Sequence, residues 1–331
     1  SGSEAVMNML KAARAFTGRP KIAKIEGLYH GSYDFAEVSL RNKPGDRNGS
    51  APISTAYSYG TPDSVLTEVV ALPFNEIEAT ESLINLHGES LACIMIDLMP
   101  QTLSMISPSE DYLKALFRLT RKHGILLAFD EVISFRLGYS GGQGMFGIDP
   151  DITSIGKIIG GGFPVGAVAG RKDIMSVFEP QGGQSPRLPH GGTFNANPIT
   201  MTAGKAALQA MDEDKFDRLN AAGNQLRQQV TEIIAELDIA AQVTGKGSLF
   251  SVRFHDRPMR YFADIVIDDV ESLFMDKLRR YLIGNGIWLG GNMAGCLSTA
   301  TTQAHIDKFC QVLKEGICLL YTSDAADDVR C

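Results

Sequence analysis

The chain of 331 residues carries 38 acidic against 31 basic side chains, a formal charge of −7, with 44% apolar residues and 34 Gly. That length supports a sizeable core and about two domains, while an acidic chain with no basic stripe excludes a nucleic-acid binder that displaces phosphate counterions. No apolar run reaches the ~18 residues of a membrane span, because Asp97, Asp130 and Lys157 interrupt the most hydrophobic stretches.

Ser1-Gly2-Ser3-Glu4 enters a helical pattern at once, with no charged-then-apolar leader before it. The helix is expected over Ser3–Phe16, with Ser3 as N-cap, Glu4 in the first turn and Gly18 just past the last. Short apolar runs suited to buried strands follow at Lys21–Ile25, Ala92–Ile96, Ile125–Phe129 and Val165–Ala169, and Glu110–His123 reads as a helix before the third. Strands alternating with helices predict an α/β domain with a mostly parallel sheet. Asn197-Pro198 caps and starts a helix running to about Met211. The pattern changes after the amphipathic helix Lys215–Glu236: Leu249–Phe254 alternates as a half-buried strand, Asp269–Ile283 is helical, and Gln303–Ile317 is a terminal helix. The expected division is a large domain over 1–211, a smaller α+β domain over 212–320, and an aperiodic, non-native tail over 321–331.

Several local patterns fail their own structural tests. Gly138-Tyr-Ser140-Gly-Gly142 matches G-x-S-x-G, but it leads into further glycines where a nucleophile elbow needs a helix. A phosphate loop ending at Lys157 needs Gly at 151 and Ser or Thr at 158, where Asp151 and Ile158 stand, and Val165 breaks the dinucleotide spacing from Gly160. The five Cys form no C-x-x-C pair and the six His no metal-binding cluster. Neither structural zinc nor a disulfide framework is expected, and a reducing cytoplasm is.

One constellation joins up. The Ile125–Phe129 run ends in Asp130-Glu131-Val132, and Lys157 follows the Asp151–Ile155 run and precedes Gly160-Gly-Gly162. Carboxylates and lysines at the C-terminal ends of parallel strands stand where open α/β sheets place their ligand crevice. A lysine there forms a Schiff base once desolvation or a neighbouring cation lowers its pKa. Glu131 has two readings, an anchor for loop residues or a solvated side chain. Arg136 and the loop Gly141–Gly144 either border a substrate entrance or form plain surface.

Asp130-Glu-Val132, Ser154-Ile-Gly-Lys157 with the glycines through Gly166, and Gly192-Thr193-Phe-Asn-Ala-Asn-Pro198 resemble the class-III, fold-type-I pyridoxal-phosphate aminotransferases. Together with Ser1–Ala5, Ala13–Gly18 and Tyr29-His-Gly31, they are similar to the glutamate-1-semialdehyde aminomutase branch over Ser1 to Ile317. The resemblance implies pyridoxal 5′-phosphate as cofactor, Lys157 as Schiff-base lysine and proton shuttle, and Asp130 as partner of the pyridine nitrogen. It further implies Val132 and Tyr29 on the two ring faces, and Gly2 and Ser3 at the phosphate from a helix N-terminus. Thr193 would reach the phosphate of a neighbouring subunit, making a homodimer. An N-terminal segment of the family is expected to be missing. The implied substrate is a small amino acid or amino-aldehyde. Asp97-Leu-Met-Pro100 stands where this class has Glu-Pro-Val, and Thr102 where the aminomutase has Asn. Phe135-Arg-Leu137 and Thr244–Leu249 look closer to β-phenylalanine-type aminotransferases of the same branch, and Gly290–Gly295 carries neither group's charged residue. Amino-group transfer of the aminomutase type is the leading expectation. A β-amino-acid aminotransferase and a non-catalytic cofactor binder are the alternatives.

Overall fold

A computed structural model describes residues 1–180 and 182–324, the last three by backbone alone. Helix α1 (Gly2–Thr17) opens the chain, and its cap is Ser1, not Ser3: Ser1 Oγ accepts from the Glu4 N–H in a capping box. Gly18, in the left-handed region at φ 70°, closes it by donating to Arg14 O.

A six-stranded sheet follows, built from β1 (Lys21–Ile25), β2 (Val69–Leu72), β3 (Leu91–Asp97), β4 (Leu126–Asp130), β5 (Ile152–Gly156) and β6 (Gly166–Gly170) in the spatial order β2-β1-β3-β4-β5-β6. All neighbours run parallel except β5 and β6. That last pair is antiparallel because only a 3-10 turn at Lys157–Gly160 and a short loop join its strands, too little chain for a helical crossover. Every residue of β3 and β4 is buried, as continuous apolar runs covered on both faces require. Helices α2 (Ile77–His87) and α3 (Glu110–His123) serve two of the crossovers, α3 capped by Ser109 and ended by left-handed Gly124. Met9, Leu10, Ile22, Met95 and Leu126 lie in the core between α1 and the sheet. The expected α/β domain with a mostly parallel central sheet is therefore what the chain adopts.

The chain divides into two units, and their boundaries interleave. One unit comprises Ser1–Pro100, Pro108–Glu213 and Arg260–Ala263, and the other Gln101–Ser107, Asp214–Met259 and Asp264 onward. The first holds the sheet and α4 (Pro198–Gln209), capped by Asn197. The second holds most of α5 (Glu213–Glu236), a three-stranded antiparallel sheet of β7 (Gln242–Thr244), β8 (Leu249–Arg253) and β9 (Ala294–Cys296), and α6 (Asp269–Gly284). Its centre is Arg253, fully buried and gripped bidentately by Glu271 (Nε–Oε1 2.7 Å, Nη2–Oε2 2.8 Å). Arg253 also donates to Ser104 Oγ at 3.1 Å and Ile265 O at 2.8 Å. The terminal helix α7 spans Gln303–Asp324, beyond the expected end at Ile317, and the Tyr321 ring meets Phe274 edge-on at 5.2 Å. Of the tail expected at 321–331, the first four residues are thus helical, and 325–331 lie outside the described residues.

Candidate active site

The C-terminal ends of two adjacent parallel strands, with the middle of a third, set a polar row beside the core. Asp97 ends β3 in register with Asp130 of β4, and Asp130 is in register with Ser154 of β5. Apolar residues precede each acid, so the carboxyls appear where the strands leave the hydrophobic layer. Three donors converge on Asp130: His30 Nδ1 on Oδ2 at 2.8 Å, and the Val132 N–H and Ser154 Oγ on Oδ1 at 3.1 and 3.2 Å. His30 is itself buried, and its Nε2 has no partner. Burial pushes its pKa down against the pull of Asp130.

Lys157 begins the 3-10 turn after β5 with φ 47°, a left-handed backbone for a residue with a β-carbon. That conformation costs about 1–2 kcal/mol, and such strain in a non-glycine residue concentrates at working sites. The lysine is exposed on the wall of a cleft of about 280 Å³. Asp130 and Asp97 line the same cleft, as do Tyr29, Val132 and the first residues of α1. The α1 N-terminus reaches this edge because Gly166 has no side chain: a Cβ there would lie 1.9 Å from Ser1 O. The N–H groups of Gly2 and Ser3 fall in the first helical turn, which has no carbonyl one turn back to accept them. Ser3 Oγ accepts from the Ser32 N–H at 3.2 Å, which ties the helix start to the segment carrying Tyr29 and His30.

Two further carboxyls differ in their work. Burial raises the Asp97 pKa well above the ordinary range, the negative charge of Asp130 adds to that, and the hydrogen bond from the Met99 N–H (2.8 Å) opposes it. Glu131, fully buried, points away from the cleft and accepts from the N–H groups of Gly142 (2.6 Å) and Gln143 (3.0 Å). Of its two readings, the structure selects the loop anchor.

Of the residues singled out in the sequence, Gly2, Ser3, Tyr29, Asp130, Val132 and Lys157 share one cleft. Thr193 does not: it is exposed on the segment before α4 and does not line this cleft. Thr102 and Asn292 belong to the second unit, where Asn292 Nδ2 donates to the Gln101 and Thr102 carbonyls. Sequence reasoning gave no role to His30 or to Phe163, which also lines the cleft. The position of His30 beside Tyr29 was the available signal. Among the described residues no group of His, Cys, Asp or Glu could hold a metal ion, and no helix is long and apolar enough to cross a membrane.

Comparison with known proteins bears on this geometry. Residues 1–317 match the profile of the family described as Aminotransferase class-III. The chain is 36% identical over 318 residues, 95% of its length and 72% of the relative's, to a glutamate-1-semialdehyde 2,1-aminomutase of Methanothermobacter thermautotrophicus. It superposes on an omega-transaminase from Sphaerobacter thermophilus with a TM-score of 0.93 and 48% identity, covering 96% of this chain and 72% of that one. A β-phenylalanine aminotransferase from Variovorax paradoxus gives 0.83 and 32%, covering 97% and 69% respectively.

Proposed function

This chain belongs to the class-III aminotransferases, pyridoxal-phosphate enzymes of amino-group transfer, and from that premise we propose that Lys157 and Asp130 are its catalytic residues and that it moves an amino group from an amine or amino acid to a keto acid. The observation that carries this reading is the cleft, which gathers Asp130, Lys157, Tyr29 and the bare N–H groups of α1 at one sheet edge.

Those residues fit the cofactor. Asp130 is the acceptor for a protonated ring nitrogen, Lys157 Nζ is the amine for the aldehyde, and Gly2 and Ser3 offer N–H donors and a helix dipole to the phosphate. Tyr29 and Val132 supply flat and branched apolar surface for the two ring faces. When bound, the cofactor supplies an electron sink next to the carbon that loses its proton. Asp130, immobilised by three hydrogen bonds, would hold a proton on the ring nitrogen. Lys157 Nζ is the amine that would hold the cofactor's aldehyde and, once released, would take the substrate proton and return it.

Thr193 enters through a second copy of the chain in this reading. Phe163, Phe194 and Ile199 are 47, 82 and 67% exposed in the single chain, an apolar surface that a homodimer would cover. Among the described residues the cysteines at 93, 296, 310 and 318 form no disulfide, in keeping with a cytoplasmic enzyme.

The 48% identity to a transaminase, against 36% to an aminomutase over comparable coverage, favours transfer between two molecules. The test supplies the cofactor-loaded protein with amine donors and keto acids and follows both products. Donor consumption that requires a keto acid is the expected result. Conversion of glutamate-1-semialdehyde without any acceptor would replace this reading by the intramolecular one.

A further inference from the structure

Asp97 is the one carboxyl on the cleft that the reading above leaves without work. It is 4% exposed, in register with Asp130 on the neighbouring strand, and lines the same cleft. Neighbouring strands lie only ~4.8 Å apart, and two carboxylates at that spacing in a buried place do not both ionise readily. Their surroundings divide the roles. Asp130 receives three hydrogen bonds, whereas Asp97 receives one, from the Met99 N–H to Oδ1.

We propose that Asp97 is the neutral member of a carboxyl pair with Asp130, keeping its proton on Oδ2 and presenting it as a hydrogen-bond donor to an oxygen of the bound cofactor. This rests on the pyridoxal-phosphate reading of the cleft. The charged groups that act on Asp97 are Asp130 and, at longer range, Glu131 from the end of β4, and Lys157 from the turn after β5. The two acids favour the neutral form and the lysine opposes it, and burial tips the balance the same way as the acids. A donor is what Asp130 cannot be while it accepts from His30, Val132 and Ser154, so the pair divides into one acceptor and one donor.

Infrared spectroscopy of the cofactor-free protein near pH 7 reads the proton directly. The difference spectrum of wild type minus Asp97→Asn is expected to show the C=O stretch of a protonated carboxyl, and a carboxylate band in its place overturns the proposal. Wild type carrying ¹³C-aspartate gives the same answer if the variant fails to fold, because the label separates aspartate bands from those of Glu26 and Glu131. Cofactor affinity tests the donor. Asp97→Ala is expected to weaken pyridoxal-phosphate binding by on the order of tenfold, and Asp97→Asn, which keeps an N–H donor, to restore most of it. Equal weakening by both variants overturns the donor role. If wild type binds no pyridoxal phosphate, the reading of the cleft fails, while the infrared result still reports the state of Asp97.

Discussion

Lys157 is held by backbone packing that a single methyl group would disturb. Helix α4 crosses the 3-10 turn at Gly204, where a Cβ would stand 2.2 Å from Ile159 O, against 3.4–4 Å for an ordinary contact. Both sides of that contact are backbone, so no rotamer change relieves it. Gly204→Ala must move the turn or the helix by about 1 Å, and a displacement of that size at a reacting group costs about a hundredfold in rate. Stability changes much less. Overpacking costs about 1–3 kcal/mol, and replacing a helical glycine with alanine returns about 1 kcal/mol. Steady-state turnover and cofactor affinity, measured beside a thermal melt, separate the two effects. Gly284→Ala is the control, since a Cβ on that helical residue meets nothing within 4 Å. Wild-type turnover in Gly204→Ala would show that this backbone contact does not position the lysine.

Arg253→Met strands Glu271 as a buried carboxylate without its bidentate partner, at a cost of about 3–5 kcal/mol in urea unfolding. Arg253→Met with Glu271→Leu is expected to recover most of that loss, and a single-variant cost below about 1 kcal/mol would contradict it. Burial lowers the Lys24 pKa to about 7, against ~10.4 in the unfolded chain. The unfolded state therefore binds more protons between those values, and this lysine makes stability rise with pH above about 7. Burial raises Glu26 to about 7, so the folded state binds more protons from ~4.3 up to that value and stability falls with pH across that window. Denaturation at several pH values is expected to show Lys24→Met flattening the alkaline rise and Glu26→Gln the acid-side fall. Unaltered slopes in both variants would contradict the assignment.

The legible parts of the fold were those that local chemistry specifies. Lys21–Ile25 and Glu110–His123 were readable to the residue, because an apolar run and a Ser-to-Gly capped periodicity are local signals. Strand β2 and helix α2 went unread: the strand is four residues long and follows directly on the short helix Asp63–Glu68. The antiparallel turn between β5 and β6 hid inside the glycine run around Lys157, where hydrophobic periodicity carries no direction. The helix cap moved from Ser3 to Ser1 because Glu4 completes a capping box with the earlier serine. At the site, Asp130 and Lys157 stood out as polar residues ending apolar strands. His30 did not, since only tertiary folding brings it within 2.8 Å of a residue a hundred positions away. The neutral character assigned to Asp97 depends on strand register, and a sequence lists residues without pairing them.

The central claim is that Lys157 is the amine that holds the cofactor in this cleft. Pyridoxal phosphate added to purified wild type and to Lys157→Ala, with the visible absorption of each recorded after removal of free cofactor, tests it most directly. The account predicts the absorption band of lysine-linked cofactor in wild type and its absence in the variant. The same band in both proteins, reporting attachment to some other lysine, would contradict it.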